Sequence, residues 1–150
     1  MQLFKSVDES QFKADFVILE GYIKFSGELL RLSLLAMGGF GTLFLIRVKG
    51  EIGQELLDQP ILFLVSMIFF ALCSGACLFH RYYASDSMSW YISWLRAVNE
   101  GNSEKADYEH KGLKKMFRLS GYALIISQFL FGGGVLLFML ALGFLMMKII

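Results

Sequence analysis

Charge is scarce in this chain, and one long stretch has none. Charged residues make up 18% of the 150 residues and hydrophobic residues 56%, whereas soluble domains carry roughly 25% charged residues. Segment 119–147 contains no Asp, Glu, Lys or Arg. Because about 20 apolar residues cover the hydrocarbon core of a bilayer, these features argue against a soluble domain. They predict an integral membrane protein.

Proline, cysteine and net charge are also low, and each limits the classes of function. The single proline, Pro60, leaves no proline-rich linker, and the chain reads as one domain, 1–150. Cys73 and Cys77 lie inside an apolar run and give no disulfide framework. A net charge of +1 offers no basic surface for nucleic acid. The N-terminal segment mixes charges throughout and is not a signal peptide, so targeting must come from the spans.

Apolar periodicity predicts an all-α integral membrane fold of three long antiparallel helices, each partly transmembrane. Gly101 suits the C-terminal cap of the second helix, and Asn102 or Ser103 the N-terminal cap of the third. The matched extramembrane halves should form a cytoplasmic three-helix stalk. The predicted segments are an amphipathic helix 8–31 continuing into a first span 29–47, a polar connection 47–60, a second span 61–79, a helical hairpin 80–118 and a third span 119–147.

The distribution of Lys and Arg predicts the orientation of the chain. Segments 1–31 and 80–118 hold most of these residues, whereas the opposite side has only Arg47, Lys49 and Lys148. By the positive-inside rule the N-terminus and the stalk are cytoplasmic and the C-terminus lies outside. The expected location is a plasma membrane, specifically a bacterial inner membrane, crossed several times.

Small residues suggest where helices pack. Ser120, Ser127, Gly134 and Ala141 recur every seven residues and form a helix-packing or pore-facing edge, here called the small-residue seam. A second group of glycines is expected near the bilayer midplane, where it would serve close packing or a flexible belt. This group comprises Gly38, Gly39 and Gly41 in the first span and Gly132 and Gly133 in the third.

Few polar groups occur inside the predicted spans. Hydroxyl groups can bond back to their own helix, so only Gln128 requires a partner. Ion-coupled carriers usually need an ionisable side chain at mid-membrane, and none is found there, which disfavours a secondary transporter.

Two further groups of residues point to surfaces. Tyr83, Trp90 and Trp94 form an aromatic stripe that is either stalk core or a partner or oligomer surface. Basic residues near the membrane boundary are expected to meet anionic lipid head groups. These head-group anchors are Arg81, Lys111, Lys114, Lys115 and Arg118.

Chemistry-bearing patterns are weak. Cys73, Cys77 and His80 share one helical face and could hold a metal with a fourth ligand, but buried cysteines and interfacial histidines are ordinary in spans, so no metal and no cofactor are expected. No hydrolase, phosphate-binding or metalloprotease motif occurs, which predicts that the chain is not an enzyme.

Two functions fit these features. The first is a homo-oligomer that forms or gates a pore, or otherwise perturbs membrane permeability, with the small-residue seam at its axis. The second is an accessory or adaptor subunit of a larger membrane complex, which docks a protein partner through its cytoplasmic stalk.

Overall fold

Three long helices make up the part of the chain that the computed structural model describes. That part is residues 13–48 and 60–149, with side chains described for 13, 15–42 and 61–144. The helices are α1, Lys13–Val48; α2, Pro60–Asn99; and α3, Ser103–Ile149. The prediction of an all-helical chain with three helices is confirmed. The predicted start of the first helix at 8–12 and the polar connection at 49–59 lie outside the described residues.

The turn between α2 and α3 follows from Gly101 and Asn102. Gly101 has a positive φ of 71°, which glycine adopts without the steric penalty of a Cβ atom. The Gly101 and Asn102 amides donate to the carbonyls of Val98 and Ala97, a pattern that closes a helix C-terminus. Asn102 Oδ1 then accepts from the Lys105 amide at 3.0 Å and caps α3. Both predicted caps are confirmed, with Asn102 as the N-cap.

The helices pack unequally against one another. α2 and α3 share the most extensive interface, α1 packs mainly on α2, and α1 has little contact with α3. On α2, Ser66, Cys73 and His80 form hydrogen bonds to α3 at residues 134, 127 and 120, in that order. The residue numbers rise along α2 and fall along α3, so these two helices run in opposite directions. The result is an α2–α3 hairpin with α1 attached mainly to α2.

A small core joins the three helices. It contains Leu29 of α1 and Cys73 and Cys77 of α2, and Leu130 and Phe131 of α3 pack against it. At the level of the first predicted span, Phe40 lies among the rings of α2 and α3, with its centroid 5.9 Å from that of Phe70 and 4.7 Å from that of Phe138.

Two of the helices could cross a membrane by their length and composition. They are Ile61–Asn99 and Ser103–Phe144, found among the described residues. Only 28% and 17% of their most apolar stretches are buried, so most of this apolar surface faces outward. The core helix of a soluble protein is mostly buried, so outward apolar surface suits lipid contact instead. The prediction of three spans, with α1 as the first, stays a prediction.

Candidate docking site

A repeated set of polar contacts joins α2 to α3. Ser66 Oγ donates to the carbonyl of Gly134 at 2.8 Å, and Cys73 Sγ donates to that of Ser127 at 3.3 Å. His80 Nδ1 lies 3.0 Å from both the carbonyl and the Oγ of Ser120. We call these three contacts the polar ladder, because its steps recur every seven residues on both helices.

The small-residue seam supplies the α3 side of this ladder. Ser120, Ser127, Gly134 and Ala141 are all buried. A Cβ atom on Gly134 would lie 3.1 to 3.3 Å from the Phe70 ring, so any larger residue would require that ring to shift by a few tenths of an ångström. The seam therefore faces α2 within one chain.

The α2 side of the ladder was not recognised in the sequence. Ser66, Cys73 and His80 are seven residues apart, the same period as the seam. That shared period was the available signal. It is hard to recognise because the three side chains are a hydroxyl, a thiol and an imidazole, and no single residue type marks the period.

The midplane glycines are not gathered into one belt. Gly38, Gly39 and Gly132 are exposed, and a Cβ atom on any of them would have no neighbour within 4 Å. Gly41 has the same open space but is half-buried. Gly133 alone of this group meets a neighbour, since a Cβ there would lie 2.8 Å from the Phe69 ring.

The predicted aromatic stripe lies partly between α2 and α3. Trp90 packs over Gly112, and its ring lies 6.0 Å from that of Tyr108. Trp94 lies between Tyr91 and His110, with ring centroids at 5.8 and 5.4 Å. Both tryptophans are half-buried against α3.

The third member of the stripe lies apart from these contacts. Tyr83 is half-buried beside Tyr82 and Phe79, with ring centroids at 5.4 and 6.5 Å. The tryptophans thus join α2 to α3, whereas Tyr83 packs within α2.

An apolar crevice opens between α1 and α3. Its volume is about 330 Å³. The lining side chains come from all three helices and are mostly apolar: Asp15, Phe16, Ile18, Leu19, Tyr22, Tyr91 and Phe117. Over their whole length, α1 packs much more on α2 than on α3. No sequence pattern named this group.

One polar pair stands at the edge of this crevice. The Tyr91 hydroxyl donates to Asp15 Oδ2 at 2.7 Å, and the Phe16 ring meets the Tyr91 ring edge-on at 5.6 Å. Burial, followed by the hydrogen bond to Asp15 and the negative charge of that carboxylate, raises the pKa of Tyr91 to about 12. Tyr91 therefore stays neutral at physiological pH.

Comparison of the chain with protein-family models, with curated proteins and with solved structures finds no match. Function must be argued from the residues.

The predicted head-group anchors lie on α2 and α3. Arg81, Lys111, Lys114, Lys115 and Arg118 are exposed. The Arg81 guanidinium lies over Gly27 of α1, 3.7 Å from where a Cβ of that glycine would be. Lys111 pairs with Asp107 at 2.7 Å and holds the pKa of that carboxyl below its usual value. Such an exposed pair contributes little to stability.

The helical face that carries Cys73, Cys77 and His80 is occupied by packing contacts. Cys73 and Cys77 are buried free thiols, and His80 is buried with Nδ1 against Ser120. Within the part of the chain that the structure describes, no three His, Cys, Asp or Glu side chains gather closely enough to hold a metal ion.

Proposed function

We propose that this protein is a non-enzymatic integral membrane protein that acts as an accessory or adaptor subunit and docks a partner protein through its cytoplasmic stalk. In this proposal three antiparallel helices cross a plasma (bacterial inner) membrane, with the N-terminus inside and the C-terminus outside. The outward apolar surface of α2 and α3 supports the embedding. The distribution of Lys and Arg supports the orientation.

The observation that carries the docking role is the α1–α3 crevice. The crevice lies beyond the predicted spans, in the proposed stalk. Its aromatic and aliphatic walls are still partly exposed, so a partner can bury them further. Ile18 and Tyr22, on its α1 wall, are 59% and 50% exposed, and Phe117, on its α3 wall, is 44% exposed. Exposed apolar patches of this kind mark interaction sites on monomeric proteins. An apolar helix lying between α1 and α3 would complete a four-helix stalk and cover these residues.

The polar edge of the crevice suggests the chemistry of the partner. The carboxylate of Asp15 already accepts the Tyr91 hydroxyl and has further lone pairs to offer. We therefore propose that the docked helix has apolar side chains at helical spacing and a hydrogen-bond donor, such as Lys or Arg, at one end.

The pore hypothesis has less support from the geometry. It places Ser127, Gly134 and Ala141 around a symmetry axis. In the structure, however, all three are buried, and the carbonyls of Ser127 and Gly134 accept hydrogen bonds from α2 of the same chain. A pore lined by the seam would require α3 to turn away from α2 and break the polar ladder. The pore stays a prediction, and liposome flux is its test.

The docking role can be tested by site-directed photocrosslinking in native membranes. A photoreactive benzoylphenylalanine in place of Tyr22 should form an adduct with one partner protein. Ile18→Arg should reduce that adduct by about tenfold or more, because it puts a charge into an apolar contact. Val98→Arg is the matched control, since Val98 is also exposed, at 53%, but does not line the crevice.

The outcomes separate clearly. An adduct lost in Ile18→Arg and kept in Val98→Arg supports docking in the crevice. Adducts only to lipid or only to a second copy of this chain, or equal adducts in both variants, would sink the proposal.

A further inference from the structure

The outer face of α3 has a stripe that the fold does not use. Gly121, Ile125, Gln128, Gly132 and Leu136 are three or four residues apart, so they share one helical face, and all are exposed. We call this set the outer stripe. It lies on the side of α3 away from the small-residue seam, and two further exposed residues, Met139 and Gly143, extend it.

Gln128 is the anomalous member of this stripe. It lies inside the uncharged run 119–147, and it forms no hydrogen bond to any residue that the structure describes. An amide carries two donors and an acceptor with two lone pairs. Inside a bilayer no water is present to satisfy them, so an outward amide requires a partner from another helix.

The residues beside Gln128 leave room for such a helix. A Cβ atom on Gly121 or on Gly132 would meet nothing within 4 Å, so the α3 backbone is bare on both sides of the amide. Small residues in these places let two helices approach closely enough for side chains to bond across the interface.

We propose that two copies of this chain dimerise through the outer stripe of α3, with Gln128 of one copy hydrogen-bonded to Gln128 of the other. A second copy is the occupant that the chemistry favours, because an amide offers both a donor and an acceptor and is therefore complementary to itself across a twofold axis. Both copies have the same orientation in the membrane, so the two amides lie at the same depth. This inference rests on the membrane embedding proposed above and leaves the crevice free for its partner.

The test measures dimerisation of the full chain in lipid vesicles by energy transfer between two N-terminal fluorescent-protein fusions. Gln128→Leu should raise the dimer dissociation constant about tenfold, and Gly132→Leu at least as much. Gln128→Asn keeps an amide and should stay within about threefold of the wild type. Thr42→Val is the matched control, because the Thr42 hydroxyl is also exposed on a span but already bonds to the Gly38 carbonyl at 3.0 Å.

Loss of dimer in Gln128→Leu and Gly132→Leu, with Gln128→Asn and Thr42→Val close to the wild type, would support the interface. A monomeric wild type at all lipid dilutions, or a dimer indifferent to both substitutions, would overturn it. Alkaline carbonate extraction separates the two proposals: a chain released from the membrane refutes the embedding itself, whereas a retained but monomeric chain refutes only the dimer.

Discussion

Single glycines decide how closely the hairpin can close. A Cβ atom on Gly112 would overlap the six-membered ring of Trp90, and the Tyr108 ring lies 6.0 Å from the Trp90 ring. Gly75, in the middle of α2, has open space at the same position. Within one hairpin, therefore, a side chain at Gly112 would meet a neighbour and a side chain at Gly75 would not.

We expect Gly112→Ala to lower the free energy of unfolding by about 1–3 kcal/mol, because the indole ring must move. Gly75→Ala, the matched control, should instead raise it by about 0.5–1 kcal/mol through helix propensity. Unfolding of both variants in mixed micelles, followed by helical circular dichroism, measures the difference. Equal effects of the two substitutions would show that Trp90 does not pack on Gly112.

Tyr91 gives the residue-scale prediction for pH. Its pKa is raised from 10.0 to about 12 in the folded chain, so the folded state keeps a proton that the unfolded state loses. The stabilising contribution is complete below pH 10 and is lost as the pH rises toward 12. The difference in tyrosinate absorbance between the wild type and Tyr91→Phe should therefore titrate near pH 12. A midpoint at the ordinary value would mean that the contact with Asp15 is absent.

At the scale of the helices, α1 should be the least firmly held. It packs mainly on α2, and the pair Ser33 and Ser74, with their hydroxyls 2.8 Å apart, is the hydrogen bond that joins it there near the core. α2 and α3 are joined along their length by the polar ladder. Local opening should therefore release α1 before the hairpin.

Ser33→Ala should accelerate amide exchange in α1 about threefold, the effect of losing one interhelical hydrogen bond of roughly 0.6 kcal/mol, and leave α3 unchanged. Ser66→Ala, which removes the hydrogen bond to the Gly134 carbonyl, should accelerate amide exchange in α3 and leave α1 unchanged. Hydrogen exchange read by mass spectrometry distinguishes the two patterns. Uniform acceleration in both variants would contradict separate attachment of α1.

Local sequence signals predicted the elements better than their arrangement. Gly101 and Asn102 end α2 and begin α3 as expected, because a positive φ and a cap are properties of one turn. The period of seven exposed the small-residue seam, but its partners Ser66, Cys73 and His80 were hidden by their different chemistry. The crevice could not be predicted from the sequence. Side chains of all three helices line it, so it depends on how the helices pack together.

For the whole molecule, the proposed topology depends on how often the chain crosses the membrane. Among the described residues, two helices are long and apolar enough to span a membrane, and the proposed third crossing is made by α1. Three crossings put the termini on opposite sides, whereas two crossings put them on the same side. The number of crossings therefore fixes whether the α1 wall of the crevice stands in a stalk or lies along the bilayer surface.

The most direct measurement is the side of the membrane on which each terminus lies. Reporter enzymes active on one side only would be fused before Met1, after Ile150, and between Gly101 and Asn102. With three crossings, we expect a cytoplasmic signal at the first and third sites and an external signal after Ile150. A cytoplasmic signal after Ile150 would contradict three crossings, and with them the stalk on which the docking role depends.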